Sequence, residues 1–328
     1  MAARAAALRQ ERAIDLCARL GHAARVCRTR THDPPQAGAE CASPRVATDV
    51  TNSAASVVVG DAEVAAFRRD GAVCLRGLLR ADEVALLREG IDRNLAQPSP
   101  RAKVASRPGD PGWFVEDFCS WRENEAYRRF IFGSAAAAAA ARLTGSAVLR
   151  LYHDHMLTKE PGTRQRTPWH QDQPYYNIAG QQNCSFWIPV DPVSRAATLE
   201  LVAGSQLGPW LMPRSFMDDQ AKWFPQGTLA DLPDIDAHRA DYPIIGWEVE
   251  PGDAVAFHML TLHAAGGVEP GRRRRVFSLR LVGDDITHAP RPWVTSPEFS
   301  GLAAELPAGA PLDHPLFPVL WRAGTGQV

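Results

Sequence analysis

The chain has 328 residues, 45% of them hydrophobic, enough to fill one sizeable core. Its 36 basic and 37 acidic residues leave a formal net charge of −1, which excludes the strongly basic footprint of a protein that binds nucleic acid or an acidic membrane. No apolar run is long enough to span a bilayer, so composition predicts a soluble globular protein, with no nucleic-acid or membrane partner.

Residues 1–55 stand apart. They are rich in Ala and Arg, gather Ser, Thr and Pro after Arg30, and show no sustained apolar periodicity. The Arg-rich start resembles a mitochondrial transit peptide, but Glu11 and Asp15 interrupt it. We expect a disordered or non-native extension ahead of a domain over 56–328, in a cytoplasmic protein, or an organellar one if the extension acts as a transit peptide. The six cysteines form no Cys-x-x-Cys pair, which predicts reduced, unpaired thiols in a reducing compartment.

The domain opens with a helical pattern, with Asp61 as N-cap, Val64 and Phe67 on one face and Gly71 as the stop. A short strand over Ala72–Arg76 follows. A second helix runs from Asp82 with Val84, Leu87, Ile91 and Leu95 at three- and four-residue spacing. Pro98, Pro100, Pro108 and Pro111 mark a long loop, and Ser134 caps an alanine-rich helix that Gly145 ends. From Ala147 onward the pattern changes to short strands at Val148–Leu157, Cys184–Val190, Thr198–Val202, Trp247–Val249, Ala254–Phe257 and Arg275–Val282. Helices first and many short strands afterwards predict a mainly β, α+β domain: an antiparallel barrel or sandwich carrying a helical layer.

Within that β-rich half lies Pro168-Trp169-His170-Gln171-Asp172. A His-x-Asp pair on a strand presents both side chains on one face, and a second imidazole brought in by the fold would complete a set of two His and one carboxylate. That set fills one face of an octahedral Fe(II) and leaves three positions open. With 10 His and 37 acidic residues, about one such pair is expected by chance, so the motif needs support from its surroundings. Both His258 and His263 are available as the third ligand. His153-x-His155 is another same-face pair, and Arg272-Arg273-Arg274-Arg275 would ordinarily be a solvated basic turn.

The surroundings resemble one family. His170-Gln171-Asp172-Gln173-Pro174-Tyr175-Tyr176, Ser185-Phe186-Trp187-Ile188-Pro189-Val190-Asp191 and Leu199-Glu200-Leu201-Val202-Ala203-Gly204-Ser205 are similar to segments of phytanoyl-CoA dioxygenase family proteins. So are Pro251-Gly252-Asp253-Ala254-Val255-Ala256-Phe257-His258, Thr261-Leu262-His263, Arg274-Arg275-Val276-Phe277-Ser278 and the opening Phe67-Arg68-Arg69-Asp70-Gly71-Ala72-Val73. The resemblance spans roughly residues 58–290. It implies a double-stranded β-helix, a cupin-like jelly roll. It also implies an Fe(II)- and 2-oxoglutarate-dependent dioxygenase that uses O2 to hydroxylate a C–H bond, releasing succinate and CO2, while Tyr175, Tyr176 and Asn177 suggest a mixed apolar and polar substrate, for which we expect a small metabolite or natural-product intermediate.

By the same resemblance His170, Asp172 and His263 are the iron ligands and catalytic centre, with His263 preferred to His258. Arg274, eleven residues further on, pairs with the distal carboxylate of 2-oxoglutarate, although Arg275 is one residue away. Trp187 and Met156 line the co-substrate pocket. Asp172 argues for hydroxylation or desaturation, because related halogenases have Ala or Gly there. Gln173, Tyr175, Tyr176 and Asn177 follow the motif and are candidates to face the substrate, as is His155. Two departures concern the co-substrate: Ala265 stands where the family often has a small hydroxyl residue, and Val268 replaces a usual Asn. A metal cupin enzyme that does not use 2-oxoglutarate would keep the triad without needing Arg274, and a non-catalytic binding protein on the same fold is the third class.

Overall fold

The computed structural model describes residues 59–106, 109–213 and 229–328. The expected extension over 1–55 lies outside these residues.

Helix α1 (Asp61–Asp70) starts one residue earlier than capping by Asp61 would give. Gly60 is the cap, and its N–H donates to the Glu63 carboxylate at 3.0 Å. The helix ends at Gly71 with φ +73°, a left-handed conformation that glycine adopts without penalty. A Cβ at Gly71 would collide with Gln206 and Thr261. The Gly71 carbonyl accepts from the Thr261 hydroxyl and the His258 N–H, both at 2.8 Å, so this turn anchors the loop that leads into His263.

Strand β1 (Ala72–Leu75) leads to α2 (Ala81–Ala96), which buries the predicted stripe Val84, Leu87, Ile91 and Leu95. The expected long proline loop contains two strands, β2 (Lys103–Val104) and β3 (Phe114–Phe118). Helix α3 (Glu125–Gly133) follows, with Asn124 accepting from the Tyr127 N–H at 3.4 Å. Ser134 closes α3 rather than capping the alanine-rich α4 (Ala136–Thr144), which ends at Gly145 as expected.

The remaining strands are β4 (Val148–Lys159), β5 (Thr167–His170), β6 (Ile178–Ala179), β7 (Asn183–Pro189), β8 (Leu199–Val202) and β9 (Ile244–Ile245). After them come β10 (Ala254–Phe257), β11 (His263–Ala265), β12 (Arg274–Val282), β13 (Thr287–His288), β14 (Val319–Arg322) and β15 (Gly326–Gln327). In place of a strand over Trp247–Val249 there is a single bridge from Val249 to Val193.

The strands form the two sheets of a jelly roll. The larger has the order β1-β10-β7-β12-β4-β14-β15, with β3 and then β2 on the side of β4. The smaller has the order β5-β11-β8-β9. All the strand pairs in both are antiparallel. Trp187, Val255, Phe257 and Val276 from the larger sheet share one buried cluster with Leu199, Leu201 and Ala265 from the smaller, so the core lies between the two.

Cross-strand partners point to the same side of a sheet. The inward set is therefore His153, His155, Leu157 and Lys159 on β4 with Arg280, Ser278, Val276 and Arg274 on β12. Ser185 and Trp187 on β7 join it. The opposite side carries Met156, Phe277 and Phe186, where the Phe277 ring packs at 4.3 Å from Tyr127 and 5.9 Å from Phe130 of α3. The sheet thus has a helix face of aromatic packing and an inner face rich in charge.

Candidate active site

His170 closes β5, His263 opens β11, and the two are direct cross-strand partners with ring centroids 4.1 Å apart. Each ring is fixed the same way. His170 Nδ1 lies 2.8 Å from the Pro168 carbonyl, and His263 Nδ1 lies 2.9 Å from the Thr261 carbonyl. A carbonyl only accepts, so Nδ1 carries the hydrogen and Nε2 presents its lone pair. Burial, with the neighbouring imidazole, pushes His170 down to about 3, and burial also lowers His263. Both rings are neutral at ordinary pH, as a metal ligand must be.

Asp172 is not on the strand, contrary to the expectation that period two would align it with His170. The strand ends at His170, and Asp172 opens a 3₁₀ turn over Gln173–Tyr175 with φ −72° and ψ −46°. The Met259 carbonyl holds this turn by accepting from the Asp172 and Gln173 N–H groups at 2.8 and 3.0 Å. The turn swings the carboxylate to the imidazoles, placing Oδ1 3.8 Å from the Nε2 of both His170 and His263. At that distance no hydrogen bond joins them. Three donor atoms converge within 4.8 Å of one another, all on buried residues, and this is the one such group among the described residues. Two neutral imidazoles and one carboxylate suit a divalent first-row metal.

The other carboxylate oxygen is occupied. Asp172 Oδ2 accepts from Ser185 Oγ at 2.8 Å and pairs with Arg280 Nε at 2.9 Å. Burial opposes ionisation of Asp172, but Arg280, the two imidazoles and Ser185 overcome it and hold the carboxyl below its usual range. His258, the competing ligand, is used elsewhere: its Nδ1 accepts from the Leu260 N–H at 3.1 Å, and its Nε2 donates to the Gln181 carbonyl at 3.0 Å.

The arginine run separates by the same alternation. Arg272 is exposed, and Arg273 pairs with Glu160 at 2.6 Å. Arg275 faces outward and binds Asp191 at 2.7 Å and Asp92 at 2.9 Å. Arg274 alone is buried on the inner face. It donates to the carbonyls of Ala197 and Gly266, meets no carboxylate among the described residues, and lies 5.8 Å from the Trp187 ring. Burial pulls its guanidinium down to about 10. Beside it stands a second buried cation that sequence reading missed. Lys159, the cross-strand partner of Arg274, donates to the Gln165 and Gly266 carbonyls, each at 2.8 Å.

Met156 is not brought to this site. It lies among the helix-facing residues, and the inward neighbour that packs with Trp187 and Val276 is Leu157. A one-residue offset along a strand reverses the face. Of the candidates after the metal motif, Gln173 donates to the Gly180 carbonyl and accepts from Asn183, while Asn177 accepts from the Tyr152 hydroxyl at 2.7 Å. The Tyr176 hydroxyl accepts from Arg280 Nε at 3.0 Å. These three side chains are braces within the protein. Tyr175 sets its ring edge against His170 at 6.0 Å, and His155 Nε2 lies 3.4 Å from Glu116 on the inner wall.

The profile of the phytanoyl-CoA dioxygenase (PhyH) family matches residues 67–276. The chain belongs to that family. A probable phytanoyl-CoA dioxygenase of Caenorhabditis elegans is 28% identical over 143 residues, 42% of this chain and 44% of the relative. The chain thus matches less than half the length of that curated relative. Among solved structures, the non-heme alpha ketoglutarate dependent carbocyclase SnoK from nogalamycin biosynthesis superposes with a TM-score of 0.61 at 22% identity, over 80% of this chain and 96% of that one. The epimerase SnoN, in complex with Fe3+, alpha ketoglutarate and nogalamycin RO, gives 0.61 at 24%, over 79% and 97%. EctD from S. alaskensis with 2-oxoglutarate and 5-hydroxyectoine gives 0.54 at 18%, over 72% and 83%. These likenesses establish the jelly-roll fold of this PhyH family member. Among the described residues no helix is long and apolar enough to cross a membrane.

Proposed function

We propose that this PhyH family protein is an Fe(II)- and 2-oxoglutarate-dependent dioxygenase that hydroxylates a C–H bond of a small metabolite or natural-product intermediate, with release of succinate and CO2. The observation that carries the reading is the pairing of a buried His170–Asp172–His263 set with a buried arginine, Arg274, that meets no acid on the same inner face. A metal site alone would fit any cupin. An inward guanidinium without a carboxylate calls for an anion, and a dicarboxylate that also chelates the metal supplies one.

His170, Asp172 and His263 would hold Fe(II) through Nε2, Oδ1 and Nε2, and Arg274 would pair with the distal carboxylate of 2-oxoglutarate beside Trp187. Bound iron, with 2-oxoglutarate and O2, supplies the oxidising chemistry. The chain's own contribution is placement and exclusion of water. The carbonyls of Pro168 and Thr261 keep both imidazole lone pairs inward, and Ser185 and Arg280 leave one Asp172 oxygen for the metal. Phe257, with its ring 4.6 Å from that of His263, Trp187 and Tyr175 close the centre against solvent. Tyr175 and His155 are the sequence candidates we retain for substrate contact, since Gln173, Tyr176 and Asn177 are held in contacts within the protein.

The test is an anaerobic titration of purified protein with Fe(II) and then 2-oxoglutarate, following the visible charge-transfer band of the chelate in wild type, Asp172→Ala and Arg274→Ala. A wild-type band lost or weakened in both variants supports the reading. Bound iron without a band points to a cupin that does not use 2-oxoglutarate, and no bound iron sinks the enzymatic reading.

A further inference from the structure

Arg280 is the least expected residue of the site. A buried guanidinium beside a metal-binding carboxylate spends part of the attraction that the carboxylate would otherwise give the metal, so its presence calls for a compensating use. The contacts are specific. Arg280 Nε is shared between Asp172 Oδ2 at 2.9 Å and the Tyr176 hydroxyl at 3.0 Å. Nη1 donates to Ser278 Oγ, which itself donates to the Phe186 carbonyl, and Nη2 reaches Asp172 Oδ1 at 3.4 Å. The side chain is buried, as are Tyr176, Ser278 and Asp172. Its side-chain partners sit on the inner face of β12 and on the turn after β5, which holds the guanidinium inside the sheet.

We propose that Arg280 is a positioning residue that neutralises Asp172 and thereby sets the charge of the metal centre, weakening the hold on the cation in exchange for a stronger hold on a dianionic chelator. The inference rests on the function proposed above. Two neutral imidazoles and one carboxylate would leave a bound divalent ion with a single net positive charge. With Arg280 included the cluster would keep both positive charges to meet the chelating end of 2-oxoglutarate, which brings one negative charge once Arg274 pairs with the distal carboxylate. Without Arg280 the pull on that incoming negative charge would fall by one unit in a water-excluded interior, where a charge acts most strongly. The split of Asp172 serves the same end. Oδ2 accepts from Ser185 and pairs with Arg280, while Oδ1, 3.4 Å from Arg280 Nη2, turns to the imidazoles and would be the oxygen offered to the metal.

The experiment compares wild type, Arg280→Met, Arg280→Gln and Arg280→Lys by two anaerobic titrations: Fe(II) against a chromophoric chelator, then 2-oxoglutarate followed by its visible band. Thermal unfolding confirms that each variant is folded. Gln keeps a donor for Asp172 without the charge, and Lys keeps the charge without the fork. The expected result is Fe(II) affinity in Met and Gln equal to or above wild type, with 2-oxoglutarate affinity reduced tenfold or more, and Lys recovering most of the loss. Unchanged 2-oxoglutarate affinity in the folded neutral variants overturns the proposal. So does a parallel loss of both affinities in Met, Gln and Lys, which would make Arg280 only a structural pin. Failure of wild type to bind Fe(II) would sink the proposed function itself, whereas normal wild-type binding with unaffected variants sinks only the role of Arg280.

Discussion

Lys159 and Arg274 face each other across β4 and β12 and donate to the same acceptor, the carbonyl of Gly266, at 2.8 and 3.3 Å. Two buried basic groups share one neutral oxygen, and among the described residues no acid is bonded to either, so under the proposed function they would form an anion subsite at one end of the inner face. Burial and Arg274 together pull the Lys159 ammonium well below its ordinary range. An arriving carboxylate would relieve both groups at once.

Replacing Lys159 with Met is expected to weaken 2-oxoglutarate binding about tenfold, and replacing Arg274 with Met by more, since a charge-assisted hydrogen bond contributes about 1.5–3 kcal/mol. Anaerobic 2-oxoglutarate titration of the two Fe(II)-loaded variants checks the order. Equal affinity of Lys159→Met and wild type would confine Lys159 to clamping the loops of Gln165 and Gly266.

Arg275→Gln should behave differently from Arg274→Gln. It breaks the outward pairs with Asp191 and Asp92 and leaves the inner face untouched. We expect unchanged 2-oxoglutarate affinity and a stability loss of about 1–2 kcal/mol, from partly exposed partners, read by urea unfolding.

Asp172→Ala should abolish metal binding and also destabilise the metal-free protein by about 3–5 kcal/mol, because it strands the Arg280 guanidinium in the interior. Asp172→Ala combined with Arg280→Met should recover much of that loss, so urea unfolding of the four proteins gives a strongly non-additive cycle. Simple additivity would refute the coupling.

The pH dependence of stability has a defined sign at His258. Burial lowers its folded value to about 4, against about 6.5 for an unfolded histidine. Between those values the unfolded chain binds a proton that the folded chain refuses, so stability falls as pH drops through this window, by roughly 3 kcal/mol over its width. Unfolding of His258→Asn between pH 4 and 7 should show a shallower slope than wild type.

The convergence of His170, Asp172 and His263 was legible in the sequence because they sit in family-like segments, and the distance from His263 singled out Arg274, which the structure buries. It hid Arg280, because a lone arginine in Ser278-Leu279-Arg280 reads like any polar strand residue until pairing with β4 and β7 shows that it points inward. Lys159 was hidden for the same reason. Met156 was misplaced by a single position, the smallest error that reverses a strand face. β3 was concealed in a proline-rich stretch, whereas α3 had a usable signal in Asn124 followed by Tyr127, Phe130 and Ile131 at helical spacing.

Both imidazoles are locked by carbonyls two residues earlier in their own chain segments, so the chain itself and not a bound ion fixes how the two rings are turned. Such a site asks for no folding on loading and presents the same three donors to zinc, cobalt, nickel or iron. Geometry therefore gives it no means to refuse the stronger binders of the divalent series. Which ion it carries would then be decided by supply, and under the proposed function protein made in zinc-rich medium is expected to emerge mis-metallated and inactive until it is stripped and reloaded.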